Sequence, residues 1–113
     1  MIETIFIASD HAGFELKKQI LNSIKTNLVD LGVGSQESVD YPDYAKKLIS
    51  KINSNENSKG ILICGSGVGM SIAANRDKNI RAGLAFEPKI AKLMREHNNA
   101  NVLILPGRFM KIQ

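Results

Sequence analysis

The sequence has little of what marks secreted and membrane proteins, namely cysteines in pairs and long apolar runs. It has a single cysteine and no tryptophan, and one thiol cannot form the disulfide framework of a small secreted domain. The N-terminal MIETIFIASDHAG carries Glu3 and only a brief apolar run, far shorter than the roughly 20 apolar residues of a membrane-spanning helix. We therefore expect no signal peptide and no membrane segment, and a cytoplasmic protein.

Aromatic residues are also scarce, and this bears on the basic charge of the chain. They make up 5% of the residues and are not interleaved with the basic ones, which argues against the stacking surface of a single-strand binder. The net charge is +4 and the pI is about 9.3, yet no nucleic-acid motif is present. We expect no nucleic-acid partner and a solvated face for the lysines on the predicted helices, which are Lys17, Lys18, Lys46, Lys47, Lys51, Lys89 and Lys92.

Short apolar runs alternate with helical patterns along a single predicted domain, residues 1–113. Strands are predicted at 4–9, 28–33, 60–65, 81–86 and 100–107, and helices at 13–27, 43–55, 69–76 and 87–99. Strictly alternating elements with continuously apolar strands are typical of an α/β fold, in which helices cover both faces of a parallel sheet. Ligands of such sheets bind beyond the carboxyl ends of the strands.

The residues that follow the predicted strands are therefore the candidate site. Asp10 and His11 follow strand one, Tyr41 follows strand two and its glycines, Cys64 begins a glycine-rich loop after strand three, and Arg108 follows strand five. His97 and Asn98 come just before strand five. Whether these two reach the same edge depends on how the fourth helix ends.

The loop CGSGVG, residues 64–69, places glycines at 65, 67 and 69. This spacing is not the G-x-G-x-x-G dinucleotide fingerprint, and no Lys-Ser/Thr pair of a P-loop follows. A glycine-rich turn into a helix N-terminus can aim several N–H groups at one anion, although it can also be only a tight strand–helix turn. Cys64 is then a small core residue, a nucleophile beside an oxyanion hole, or a base that removes a carbon-bound proton.

The remaining polar residues give weaker signals. Asp10 and His11 can be core or capping residues, and His97 can complement a helix dipole. No cluster has the ligand spacing of a metal site. From the residues alone we expect a reaction on an anionic small molecule that uses no cofactor and no metal. A thiol-dependent acyl transfer by Cys64 and His97 remains an alternative.

Several segments, taken together and in order, resemble the ribose 5-phosphate isomerase B family, which shares a superfamily with the subunits of galactose 6-phosphate isomerase. They are ASDHAGFELK, DYPDYA, GILICGSGVGMSIAANR, IRAGL and REHNNANVLILPGR, and the match runs from about residue 4 to 108. The resemblance implies a Rossmann-like three-layer sandwich and a homodimer or a tetramer. It also implies the interconversion of ribose 5-phosphate and ribulose 5-phosphate without a cofactor.

The resemblance further implies a role for each site residue. Cys64 matches the base, and Ser66 matches a hydroxyl that assists proton movement at the sugar oxygens. Asp10 and His97 match the groups that open the sugar ring. The other matched residues hold the substrate: the enediolate hole of Gly65, Gly67, Val68, Gly69 and Met70, the phosphate contacts His11 and Arg108, and the pocket lining of Tyr41 and Asn98.

The chain ends at GRFMKIQ, whereas family members continue through another helix and a tail with further phosphate-binding arginines. The alternatives are therefore a six-carbon phosphosugar isomerase, or an inactive remnant that only binds anions or a partner chain. We expect the strand order 2-1-3-4-5, which puts helix one on one face and the other three helices on the opposite face. Strands three to five would then expose an apolar patch, or another chain would bury it.

Overall fold

The computed structural model describes residues 3–24, 27–32 and 41–109. The strands of its parallel sheet are β1 (Thr4–Ser9), β2 (Leu28–Asp30), β3 (Ser58–Cys64), β4 (Ala82–Leu84) and β5 (Val102–Pro106). The helices are α1 (Phe14–Ser23), α2 (Tyr41–Asn53), α3 (Val68–Ala74) and α4 (Pro88–Asn98), and a short 3₁₀ turn (His11–Gly13) precedes α1. The predicted α/β class and the alternation of elements are confirmed, and β1 has the predicted bounds.

The strand order is β2-β1-β3-β5-β4, so the predicted order 2-1-3-4-5 is wrong at its last two positions. β5 pairs with β3 over five residues, from Gly60 opposite Val102 to Cys64 opposite Pro106. The short β4 occupies the edge and pairs only with β5. The sheet gains more hydrogen bonds and burial from five apolar residues at an inner position than from the three residues of β4.

The predicted placement of the fourth helix is also wrong. Ala82 and Leu84 of β4 pack against the core that α2 and α3 cover, so Gly83 between them faces the other side of the sheet. A Cβ atom on Gly83 would lie 2.3 Å from Sδ of Met94 in α4. α4 therefore covers the face on which α1 lies, as a right-handed return from β4 to β5 requires.

Two apolar clusters hold the layers together. The larger one lies between the sheet and helices α2 and α3, and it includes Phe6, Leu48, Leu62, Met70 and Ile104. The smaller one joins α1 to the other face through Ile7, Leu16, Ile20 and Ile63. Leu103 and Leu105 of β5 are half-buried on this second face, so the apolar patch expected to be exposed, or buried by another chain, is partly covered within this chain.

Lys17 corrects the expectation that the lysines form a solvated face. Its side chain is 2% exposed, and Nζ lies 2.8 Å from Oδ1 of Asp30, which is 40% exposed. The same carboxylate oxygen accepts the amide of Gly32 at 2.9 Å. Lys17 thus ties α1 to the end of β2, whereas Lys18 is exposed as predicted.

Candidate active site

Three loops meet at the carboxyl edge of β1, β3 and β5. The amide of Asp10 donates to the carbonyl oxygen of Ile63 at 3.2 Å, the amide of Gly107 to that of Cys64 at 2.7 Å, and the amide of Arg108 to that of Gly65 at 3.0 Å. These bonds continue the sheet pairing one or two residues beyond the strands. They bring the Asp10, Cys64 and Arg108 loops together, as the strand-end rule predicts.

Cys64 is the last residue of β3, and its side chain is on the face covered by α2 and α3. The residue is 5% exposed, and Sγ accepts a hydrogen bond from the amide of Gly67 at 3.2 Å. Gly67 has a φ of +83°, a conformation that glycine adopts readily and other residues rarely do. The glycine loop therefore folds back over the thiol and directs a backbone donor at it.

The first turn of α3 provides further backbone donors beside this thiol. Ser71 makes the first backbone bond of the helix, to Gly67, so the amides of Gly69 and Met70 have no acceptor within the helix. The hydroxyl of Ser66 accepts the amide of Val68 at 3.2 Å, and both residues are exposed. The Met70 side chain is fully buried in the core, so only its backbone can belong to the pocket.

Asp10 lies beside Cys64 in the sheet. Ala8 pairs with Leu62, and Ser9 pairs with Ile63, so the register continues to Asp10 opposite Cys64, with both side chains on one face. Asp10 is 6% exposed, and its Oδ1 accepts the amide of Gly13 at 3.1 Å. The carboxylate therefore caps the 3₁₀ turn that carries His11, at the position opposite Cys64.

Arg108 brings a positive charge to the same edge. The residue is exposed, and a Cβ atom on Gly65 would lie 3.2 Å from its Cδ and 3.3 Å from its Nη1. The guanidinium therefore lies directly over the Gly65 backbone, next to Cys64. An anion at this edge would meet both the arginine and the backbone donors of the glycine loop.

Tyr41 begins α2, which packs against β1 and β3 on the face of Cys64. The side chain of Tyr41 is outside the described residues. A groove of about 650 Å³ runs along the outer side of α2 and α3. Among the residues whose side chains the structure describes, its lining includes Gly69 but no other predicted site residue, so the groove lies beside the loops that follow β1, β3 and β5 and not over them.

His97 and Asn98 are at the opposite edge of the sheet. They form the exposed last turn of α4, and the Asn98 carbonyl oxygen accepts Nε of Arg81 at 2.7 Å. Arg81 immediately precedes β4, which fixes this turn at the amino ends of β4 and β5. The length of β5 separates it from Cys64, a distance of roughly 13 Å along the strand.

Two other classes of site can be assessed within residues 3–24, 27–32 and 41–109. No group of three histidine, cysteine, aspartate or glutamate residues there is arranged to hold a metal ion. None of the helices in this part of the chain has the length and apolar character needed to span a bilayer.

A parallel α/β domain with a thiol, a carboxylate and an arginine at the carboxyl edge has its polar residues where proteins of the α/β class bind their ligands. Residues 5–113 match the family model described as Ribose/Galactose Isomerase. The chain therefore belongs to the ribose/galactose isomerase family and is an isomerase by descent.

Two bacterial relatives show how much of a family member this chain covers. A probable ribose-5-phosphate isomerase B from Mycoplasma pneumoniae is 46% identical over 114 residues, which is 97% of this chain and 75% of that protein. Ribose-5-phosphate isomerase B from Escherichia coli is 40% identical over 115 residues, 99% of this chain and 77% of that protein. This chain thus spans about three quarters of the length of these relatives.

Solved structures agree with the fold described above. The ribose 5-phosphate isomerase from Thermotoga maritima superposes with a TM-score of 0.92 at 56% identity, over 96% of this chain and 77% of that one. Ribose-5-phosphate isomerase B from Mycoplasma genitalium, solved with bound ribulose-5-phosphate, gives a TM-score of 0.90 at 46% identity, over 98% and 76% of the two chains.

Proposed function

We propose that this chain interconverts ribose 5-phosphate and ribulose 5-phosphate through an enediolate, with Cys64 as the base. The observation that carries the proposal is the meeting of the Cys64, Asp10 and Arg108 loops at one sheet edge. It is supported by the names of the relatives and by the ribulose-5-phosphate complex of the Mycoplasma genitalium protein.

The chemistry of the interconversion assigns a task to each group. The Cys64 thiolate removes the proton from C2 of the open-chain aldose, and the electron pair forms the C1–C2 double bond while the carbonyl oxygen O1 takes the negative charge. The amides of the glycine loop stabilise that oxygen. The proton returns to C1, a carbonyl forms at C2, and the Ser66 hydroxyl relays the proton from O2 to O1.

The other residues bind the sugar and open its ring. Arg108 and His11 hold the phosphate, which a charge-assisted hydrogen bond from a guanidinium suits. Asp10 acts in ring opening beside the thiol, together with His97. Tyr41 and Asn98 line the pocket.

His97 and Asn98 can take these roles only if a second copy of the chain supplies them. Within one chain they lie at the amino ends of β4 and β5, while Cys64 lies at the carboxyl end of β3. We therefore propose a homodimer in which the end of α4 of one copy completes the pocket of the other. A twofold axis would build two equivalent shared sites.

The test is proton NMR of the chain incubated with ribose 5-phosphate in deuterated water. We expect ribulose 5-phosphate to form with deuterium at C1, and we expect both product and exchange to fall by at least about a hundredfold in Cys64→Ala. Turnover that survives in Cys64→Ala would exclude the thiol as base. A folded wild-type chain without turnover or exchange would support an inactive anion-binding remnant instead.

A six-carbon phosphosugar is the second candidate, because the matched family model covers galactose as well as ribose isomerases. The same assay with galactose 6-phosphate separates the two. We expect a higher kcat/KM for the five-carbon substrate, and the reverse preference would establish the second candidate.

A further inference from the structure

Two glycines outside the predicted site make direct backbone contact where the three loops meet. They are Gly13, at the end of the 3₁₀ turn, and Gly107, directly after β5. A Cβ atom on Gly107 would lie 3.0 Å from Cα of Gly13 and 3.2 Å from the carbonyl oxygen of Ala12. A Cβ atom on Gly13 would lie 2.6 Å from the carbonyl oxygen of Ile63.

Both glycines are bonded directly to site residues. The amide of Gly13 donates to the Asp10 carboxylate at 3.1 Å. The amide of Gly107 donates to the carbonyl oxygen of Cys64 at 2.7 Å, and the next amide, of Arg108, donates to Gly65. The contact between Gly13 and Gly107 is therefore the place where the loop that carries Asp10 and His11 touches the loop that carries Arg108.

We propose that Gly13 and Gly107 are positioning residues. Their backbones touch with no side chain between them, and this contact sets the distance between the His11 turn and Arg108 and so the geometry of the phosphate subsite. This inference rests on the proposed function, in which His11 and Arg108 hold the phosphate. Catalytic and binding geometries tolerate little error, because a misplacement of about 1 Å can reduce the rate about a hundredfold.

Gly107→Ala is the decisive variant because it perturbs the contact mildly. Gly107 does not have a positive φ, so alanine fits its backbone, and the nearest contacts of 3.0 to 3.2 Å require the neighbours to move by only tenths of an ångström. Two of those neighbours are backbone atoms of the turn that carries His11, which cannot swing aside as a side-chain tip can. Gly13→Ala is harsher, because its Cβ would overlap the backbone of β3.

The matched control is Gly83→Ala, in the edge strand β4. Its Cβ would meet the flexible Met94 side chain at 2.3 Å, away from the three loops. This control therefore introduces a closer overlap than Gly107→Ala but leaves the phosphate contacts in place. A loss of folded protein alone would affect both variants and would lower the apparent kcat without changing KM.

The experiment titrates inorganic phosphate into each folded protein, followed by the imidazole NMR signal of His11, and measures KM and kcat for ribose 5-phosphate. We expect Gly107→Ala to raise the phosphate Kd and KM together by about three- to tenfold, with a smaller change in kcat. Gly83→Ala should leave the phosphate Kd unchanged, and Kd is the constant compared with this control, because Met94 lies on the helix that ends at His97 and Asn98.

Three outcomes would overturn the inference. An unchanged phosphate Kd in Gly107→Ala would do so, and so would failure of that variant to fold, since the contact would then serve stability alone. A wild-type chain that binds no phosphate would also overturn it, because there would then be no phosphate subsite whose shape the two glycines could set. A wild-type chain that binds phosphate but does not isomerise would contradict the proposed function, while the two Kd values would still decide the inference.

Discussion

The backbone amide of Gly67 points at the sulfur of Cys64 across 3.2 Å. The turn that allows this depends on the left-handed backbone of Gly67, at a φ of +83°. A Cβ atom at this position would also lie 2.3 Å from Cδ1 of Leu84. A single glycine thus combines the sharp exit from β3, the start of α3 and the donor to the thiol.

Gly67→Ala should therefore damage the site more than its effect on stability explains. We expect a loss of at least about 1 kcal/mol in the free energy of unfolding, from the strained backbone, and a fall of at least about tenfold in kcat because a donor is displaced. The control is Gly32→Ala, which has a φ of +113° and a Cβ 3.0 Å from the Tyr44 ring. Urea unfolding gives the loss of stability of both variants, and steady-state kinetics give their kcat. Equal losses of kcat in the two variants would contradict the prediction.

The buried hydroxyl of Ser9 predicts a substitution that stabilises the chain. Ser9 is fully buried, and its Oγ has no hydrogen-bond partner among the residues that the structure describes, a state that costs about 1 to 3 kcal/mol. Ser9→Ala should leave the free energy of unfolding unchanged or raise it. Ser58→Ala is the matched control, because that hydroxyl donates to the carbonyl oxygen of Asn55 at 2.6 Å, and its removal should destabilise the chain. A clear loss of stability in Ser9→Ala would mean that the hydroxyl has a partner in solution.

The pair of buried Lys17 and exposed Asp30 predicts an asymmetry between its two partners. Asp30→Ala removes the carboxylate that the buried ammonium of Lys17 contacts and should cost about 2 kcal/mol, whereas Lys17→Met fills the same space without a charge and should cost about 1 kcal/mol or less. In the Lys17→Met background, Asp30→Ala should cost only about 1 kcal/mol, for the lost bond to Gly32. The measurement is a double-mutant cycle in urea.

The exposed pair Lys92 and Glu96 on α4, 3.8 Å apart, provides the control for that cycle. Its coupling energy should be below about 0.5 kcal/mol. A coupling energy between Lys17 and Asp30 that is as small as this would show that the pair contributes no more than a fully exposed one.

The sequence predicted the elements well because their signals are local. The apolar run of β1 and the helical spacing of α4 each lie within a few residues. The order of β4 and β5 depends instead on contacts distant in sequence, such as Gly83 with Met94, and the pattern of β4 alone does not show which strand it pairs with. The Lys17–Asp30 pair was missed for the same reason, since a lysine on an amphipathic helix is usually solvated.

The site was predictable to the extent that strand ends mark it. Asp10, Cys64 and Arg108 each follow a strand, and the sheet brings them together. Gly13 and Gly107 also follow strands, but the tight contact between them depends on the spacing of the loops across the sheet. His97 shows the limit of the strand-end rule, because a residue before a strand lies at the other edge of the sheet.

The separation of His97 from Cys64 predicts complementation between inactive variants. Cys64→Ala and His97→Ala should each be inactive alone, and a 1:1 mixture, refolded together, should regain about a quarter of wild-type activity, because half of the dimers are mixed and each has one intact site. The control is a mixture of Cys64→Ala with Arg108→Ala. In the proposed dimer one chain supplies both Cys64 and Arg108 to the same site. In a mixed dimer one site therefore lacks Cys64 and the other lacks Arg108, so no activity should return. Recovery in the control mixture, or none in the first, would contradict a site completed by the end of α4 of a second copy.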